Sequence, residues 1–496
     1  MATIIGSAMV MIDGTAVNVA LPVLQEELNL GVTEVQWVVE SYALFLSALL
    51  LLGGSLADHF GRRRIFTTGI ALFTVASVCC GLAQTASQLI LARAVQGAGG
   101  ALLVPGSLAI LSSSFKGDQR GRAIGTWAAF TPIAAALGPI LGGWLVENVS
   151  WRWVFFINVP LAVVVLAISS HCMLESRDQE KTGELDWWGA LLAAAGLGAI
   201  VYGLIESANL GLTHPLVLVC VALGAALLVV FLLVEARSSS PILPLQLFRS
   251  RTFAGANLLT LLLYAALGGT LFFFPFNLIQ VQGYSATAAG AAFLPLILLL
   301  FVLSRHSGEL VSRYGAKWPL TVGPLVAAIG FVLFAIPGIG GSYWTTYFPA
   351  VAVLGLGMAV SVAPLTTTVM SSVDDRHAGI ASGISNAAAR TAGLLGVAVM
   401  GIFILNAFNT SLDSRMAALG IAPEVRELLD EQRINLAAAE IPTELSRELR
   451  ARLKLNIAES FLAGFRLVMF IAAGLALASA ATALLMIEGK RSIRLQ

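Results

Sequence analysis

Fourteen stretches of about twenty mostly apolar residues divide this chain, and that is the length that crosses the hydrocarbon layer of a bilayer as a helix. They lie near 3–22, 37–57, 65–83, 88–111, 122–146, 152–173, 187–206, 215–235, 254–280, 287–304, 318–338, 344–367, 379–406 and 461–487. Inside lipid, backbone N–H and C=O groups find no water, so a spanning segment must satisfy them as a helix or within a closed barrel. Apolar runs this long, without alternation, predict helices. Only 11% of the residues are charged, against about 25% in soluble domains. The net charge of +1 builds no basic face and argues against nucleic acid as a partner. Cys79, Cys80, Cys172 and Cys220 fall in or at the ends of apolar runs. They have neither metal nor disulfide spacing and read as small apolar residues. The first run lacks the basic lead and the small-residue cleavage site of a signal peptide.

Orientation follows from lysine and arginine. With "DHFGRRR" on the cytoplasmic side and the spans alternating, the six short outer loops carry only Arg152, while the inner loops and tail carry the remaining short-loop cations. An even number of spans then puts both termini in the cytoplasm. Residues 407–460 are polar and charged, lie outside by parity, and predict two short amphipathic helices over the outer face.

The chain also repeats itself. "GGSLADHFGRRR" after the second run is echoed by "HSGELVSRYGAKW" after the tenth, with Gly54, Leu56 and Gly61 matching Gly308, Leu310 and Gly315. Gly125 and Gly138 in the fifth run have the same spacing as Gly383 and Gly396 in the thirteenth. This divides the chain into a six-helix bundle at 1–175, two additional helices with flanking loops at 176–253, and a second six-helix bundle at 254–496 that includes the outer segment.

Four motifs carry the chemistry. "IDGTAVNVALP" places a carboxyl, Asp13, amid an apolar run, with Thr15 and Asn18 on a polar strip and Pro22 closing the helix. Desolvation favours the neutral acid and a nearby cation favours the carboxylate, so such a group can exchange a proton for cargo. "RAVQGAGGALLVPGS" puts Arg93 inside the fourth run, either functional or reaching for the outer surface. "GGSLADHFGRRR" combines Gly54, Asp58 and Gly61 with Arg62, Arg63 and Arg64; its glycines permit a sharp turn and a close approach. "ALGPILGG" contains Gly138, Pro139, Gly142 and Gly143, a proline bend with small faces on which a neighbour can pack.

With these residues together, the chain resembles the major facilitator superfamily over essentially its whole length, and more narrowly its fourteen-helix drug/proton antiporter branch. The resemblance implies an all-α membrane fold of two six-helix bundles with two extra helices between them. It implies a conformational latch at Gly54, Asp58, Gly61 and Arg62–Arg64, proton coupling through Asp13 and Arg93, and an antiporter signature at Gly138–Gly143. The departures are His59 where a basic residue is usual, Ala134 where a glycine is usual, Ser312 in place of the latch acid in the second half, and Val397 and Met400 in place of Pro139 and Gly142.

Glu40, early in the second run, is the other acid considered for proton coupling. The spans of the second bundle contain no acid in their apolar cores but do contain Arg390. Candidate cargo contacts are Asn18, Tyr42, Trp127, Phe130, Tyr264, Phe273, Asn277, Asn386 and Arg390, since aromatic faces attract organic cations and such pockets need few polar groups. The expected function is proton-coupled efflux of lipophilic cations, zwitterions or neutral amphiphiles by alternating access. The alternative is a lipid or metabolite transporter without proton antiport. No cofactor is expected beyond the coupling proton, and no metal. Expected partners are membrane lipids and a small amphiphilic substrate, with an accessory efflux protein as a further candidate. The chain is expected to be monomeric, in a plasma membrane, the bacterial inner membrane first. No nucleophile and base pair stands at workable spacing and no phosphate loop is present, which argues against an enzyme or an ATP pump.

Overall fold

A computed structural model describes residues 1–496 except 115–125, 127–129, 131–133, 135–136, 174, 176–185, 239–240, 375–377, 420–425, 427–428, 431, 440, 442–444 and 490–496. Among the described residues there is no strand. The elements in chain order are α1 Ala2–Leu28, α2 Val32–Phe60, α3 Arg62–Leu82, α4 Ala86–Ser114, α5 at 137–148, α6 Trp153–Phe156, α7 Asn158–Cys172, α8 Trp187–Leu210 and α9 Pro215–Arg237. They continue with α10 Arg251–Phe276, α11 Ala286–Ala291, α12 Leu294–Tyr314, α13 Lys317–Ala335, α14 Tyr343–Thr346, α15 Phe348–Ser371, α16 Ala378–Leu419 and α17 Arg447–Met486. Among the described residues twelve helices are long and apolar enough to cross a membrane, and the bent α2 is a thirteenth. The remaining run, at 122–146, lies mostly outside the described residues. Its described positions Thr126, Phe130, Ala134 and 137–148 are helical, which is compatible with fourteen passes.

Glycine marks the same turn in both halves. Gly61 joins α2 to α3 with φ 110°, and Gly315 joins α12 to α13 with φ 78°, a backbone region that side chains with a Cβ rarely enter. The two faces of the molecule can be called the Gly61 end and the Asn29 end, after the turns that close them. Gly6 faces Phe66 at the start of α3, and Met486 lies against Gly255 at the start of α10, so α1 begins and α17 finishes at the Gly61 end.

Two expectations need correction. Pro22 does not close the first helix. It lies inside α1, which continues to Leu28 and stops at Asn29, whose φ of 51° is left-handed. Pro22 stands inside the helix nearly two turns before its end, so one backbone hydrogen bond to the preceding turn is missing there while the helix continues. Nor do the two ends of the polar segment 407–460 form short helices of their own; much of 420–444 lies outside the described residues, with Arg426, Leu429 and Asp430 helical. α16 is 42 residues long and α17 is 40. At 1.5 Å per residue each is about 60 Å, twice the ~30 Å hydrocarbon layer. The amphipathic residues extend the last two spans beyond the Asn29 end, because no helix-breaking residue separates them from the apolar runs. A 3₁₀ strap, Arg433–Ala438, crosses between the extensions. Ion pairs tie them: Arg433 to Asp413 and Asp430, and Arg415 to Glu459.

α8 and α9 form a hairpin. α8 docks on α2 and α16 through a cluster of Leu44, Val201, Ile205, Leu394 and Ala398. Trp37 donates from Nε1 to Glu206 at 3.4 Å. Buried residues on α9 are only Val217, Gly224 and Glu235, which leaves the rest of its apolar surface for lipid.

Candidate functional site

Asp13 is fully buried, and so are its partners. Its Oδ2 accepts from Arg93 Nη1 at 2.6 Å. Its Oδ1 accepts from Gln96 Nε2 at 2.8 Å and from Asn158 Nδ2 at 3.1 Å. Arg93 also donates to Gln96 Oε1 at 2.7 Å and, through Nε, to the Val38 carbonyl at 3.1 Å. The Tyr42 ring covers its guanidinium at 4.1 Å. Ser77 accepts from both Gln96 and Asn158, at 3.2 and 2.9 Å, and donates to the Phe155 carbonyl.

Five helices and the α6 turn thus meet on one ion pair, α2 giving the Val38 carbonyl and the Tyr42 ring. α1 supplies the acid, α4 the cation and Gln96, α3 Ser77, and α7 Asn158. Arg93 does not reach for the surface: it is 1% exposed. Position explains this, because Arg93 stands two turns into α4 and Asp13 three turns into α1, running in opposite directions to the same depth. A buried pair survives only when its remaining valences are hydrogen-bonded, and here Gln96, Asn158 and Ser77 do that. The sequence motifs give no role to Gln96, Ser77 or Asn158. Their signal was present as lone polar residues in apolar runs.

The glycine-proline motif of α5 touches the acid's helix from behind. A Cβ on Gly138 would overlap Thr15 Oγ1 and lie 2.9 Å from the Ile12 carbonyl, and one on Gly142 would lie 2.8 Å from Ala16. Gly143 faces the other way, onto Ala286 of α11, and Pro139 abuts Gly290. One short segment therefore bears on the Asp13 helix and on the opposite bundle.

Hydrogen bonds that cross between the bundles lie toward the Asn29 end. They join Gln280 to Gln25 at 3.0 Å, Gln25 to the Asn435 carbonyl at 3.4 Å, Gln36 to the Val397 carbonyl at 3.3 Å, and the Thr287 amide to Glu147 at 3.1 Å. Beyond the Gln25–Gln280 contact a 720 Å³ cavity, lined in part by Asn29, Asn435 and Lys454, sits beneath the strap.

At the Gly61 end, Arg62 donates to Asp58 through Nε at 3.1 Å and Nη2 at 2.9 Å. The turn is clasped from a distance by Glu175, which accepts from the amides of Arg63 and Arg64 at 3.0 and 3.2 Å. A carboxylate on the first amides of α3 also suits the helix dipole. Arg63 donates to the Ser170 carbonyl. Gly54 packs on Pro105. Glu175 was not foreseen, because a lone acid in a polar linker has no distinguishing sequence context.

The other candidates scatter. Glu40 is fully buried on α2 and neither carboxyl oxygen has a hydrogen-bond partner among the described residues; an unpartnered charge there would cost several kcal/mol, so the neutral acid fits. Tyr42 belongs to the Arg93 site, and its hydroxyl has no hydrogen-bond partner among the described residues. Asn18 and Gly14 share a face of α1 turned from Asp13, and nothing lies within 4 Å of where a Gly14 Cβ would stand. On α16, Asn386 is exposed, Arg390 is partly exposed without an ion-pair partner among the described residues, and Gly393 faces open space. Phe130 is exposed and Tyr264 half-buried. Phe273 and Asn277 lie elsewhere than in a cleft. Phe273 packs edge-on against Phe272 at 4.8 Å, and Asn277 is buried in the π turn Asn277–Val281, donating to the Tyr347 hydroxyl at 2.9 Å. Trp127 lies outside the described residues. Among the described residues no cluster of three or more metal-ligating side chains occurs.

A family model described as Major Facilitator Superfamily matches residues 3–397. Multidrug resistance protein Stp of Mycobacterium tuberculosis is 32% identical over 479 residues, covering 95% of this chain and 88% of that protein. The tetracenomycin C resistance and export protein of Streptomyces glaucescens is 32% identical over 493 residues, covering 98% and 90%. Among solved structures, a bacterial homologue of the human lysosomal transporter Spinster, in an inward-facing and occupied conformation, matches with a TM-score of 0.64 at 16% identity, covering 98% of this chain and 95% of its own. At that identity the likeness is one of fold.

Proposed function

Because the chain belongs to the Major Facilitator Superfamily, we propose that it exports lipophilic or amphiphilic small molecules across a plasma membrane in exchange for protons. Export is supported by relatives named for multidrug resistance and for antibiotic resistance and export. Proton exchange rests on one observation: the buried Asp13–Arg93 pair with both carboxylate oxygens fully engaged.

With the Gly61 end in the cytoplasm by the charge rule, a closed Asn29 end corresponds to an inward-facing state in which Asp13 has given up its proton. In the outward-facing state an external proton neutralises Asp13. Arg93 then loses its anion, and Gln96 and Asn158 lose a charged acceptor. The tie between α1, α3, α4 and α7 weakens, and α1 is free to shift against the glycines of α5. Since Gly143 and Pro139 also bear on α11, that shift reaches the contacts that close the Asn29 end. The Asp58–Arg62 bond and the Glu175 clasp act at the opposite face.

The test is transport in vesicles with an imposed pH gradient. The wild type should drive ethidium against its gradient and stop when the pH gradient is collapsed. Asp13→Asn should move it only down its gradient. Driven movement by Asp13→Asn would overturn the assignment, and wild-type movement indifferent to the pH gradient would favour a lipid or metabolite carrier without antiport.

A further inference from the structure

The extra hairpin holds two acids that the transport cycle does not use. Asp186 caps α8, its Oδ1 accepting from the Gly189 amide at 2.7 Å. Glu235, near the end of α9, is 3% exposed. Its Oε2 accepts from the Leu243 amide at 3.0 Å. The second oxygen of each, Asp186 Oδ2 and Glu235 Oε1, is buried and has no hydrogen-bond partner among the described residues. These two oxygens converge. A Cβ built on Gly189 would stand 2.7 Å from Asp186 Oδ2 and 2.8 Å from Glu235 Oε1.

Among the described residues no cation forms an ion pair with either acid. Arg237 on α9 and Arg249 and Arg251 beyond it are exposed, and none forms an ion pair with either acid. From α8 the pair meets the Gly189 backbone, and from the connection to α10 it meets the Leu243 amide. Two carboxylates side by side without a cation repel, and two buried acceptors without a donor lose hydrogen bonds; a single proton between them removes both costs.

We propose that Asp186 and Glu235 form a second proton-binding site, which holds one shared proton between Oδ2 and Oε1 and clasps the connection 241–250 to the hairpin. The ligand is the proton itself. The site lies at the Gly61 end, separate from Asp13, and joins three pieces: the start of α8, the end of α9 and the strand of chain that leads through Leu245–Arg249 into α10. When the proton is lost, the two charges push α8 and α9 apart at this end and release the Leu243 amide. A buried shared proton is kept at low pH and given up as pH rises, so the clasp holds in acid and loosens in base. The hairpin would thereby report cytoplasmic pH to the second bundle.

Amide hydrogen exchange of the full-length protein in lipid nanodiscs tests this, read at residues 241–250 between about pH 5.5 and 8.5 and corrected for the intrinsic pH dependence of exchange. The wild type should lose protection there by about tenfold per pH unit once the proton leaves. Asp186→Asn retains the cap and gives Glu235 a permanent N–H donor, so its protection should stay high across the range. The infrared difference spectrum of wild type minus Glu235→Gln should contain a protonated carboxylic acid band beyond the one that Glu40 gives in both. Wild-type protection independent of pH, an unchanged pH slope in Asp186→Asn, or protection that follows a chelator instead of pH would each overturn the proposal.

Discussion

Asp13 illustrates how a single residue's cost becomes a constraint on many. Removing one partner of a buried, hydrogen-bonded ion pair costs about 3–5 kcal/mol, because the other charge is left uncompensated. Asp13→Asn should therefore lower the unfolding temperature in detergent as well as abolish proton-driven transport. Asp13→Asn combined with Arg93→Gln should recover most of the stability and none of the driven transport. A double variant as unstable as the single would show that the hub's packing, not its charge balance, sets the cost. Glu40 differs: with both oxygens unpartnered, Glu40→Gln should change unfolding stability by less than about 1 kcal/mol. A larger loss would reveal an ionised Glu40.

Between elements, glycine geometry decides how closely helices approach. Gly138→Ala should clash with Thr15 and the Ile12 carbonyl, costing about 1–3 kcal/mol and slowing transport. Adding Thr15→Ala removes the overlapping hydroxyl and should recover part of both; no recovery would mean that α5 responds to the backbone contact alone. At the Asn29 end, Glu147 clips α5 to the first amides of α11. The Thr287 side chain and amide and the Ser285 hydroxyl hold its carboxyl below its ordinary value of 4.5. A depressed carboxyl contributes above its unperturbed value and loses the contribution as pH falls through the lowered one. The clip should stay closed at neutral and mildly acidic pH and open only in strong acid, while Glu147→Gln should weaken it at all pH values. Spin-label distances between the 149–150 and 338–341 turns would read this directly; closure that weakens already between neutrality and mild acidity would contradict it.

Over the whole molecule, the two long extensions offer a check on orientation. If the Asn29 end faces outward, trypsin added to intact cells should cut at the exposed start of α17, near Arg447 and Arg452, and leave the 61–64 turn untouched. Cleavage only in inverted vesicles would reverse the proposed direction of transport. The many-span helical fold and the turn at Gly61 were legible because lipid penalises every unsatisfied backbone group and because a glycine permits a positive φ. The extensions were misjudged, since polar composition marks where lipid ends but does not end a helix. That Phe273 packs on Phe272 and Asn277 bonds Tyr347 was not legible, because composition does not tell which side of a span faces inward.

The sequence by itself determined that this chain crosses a membrane many times in two related halves, and that a carboxyl and a guanidinium are held inside it. Hydropathy and the cost of burying charge are properties of local segments, readable without a partner. Only the tertiary structure decided that Asp13 and Arg93 are each other's partners, with Gln96, Ser77 and Asn158 completing the set, and that Asp186 and Glu235 share a pocket. Those pairings join residues far apart in the chain, and their energies depend on distances of a few ångströms that only helix packing sets.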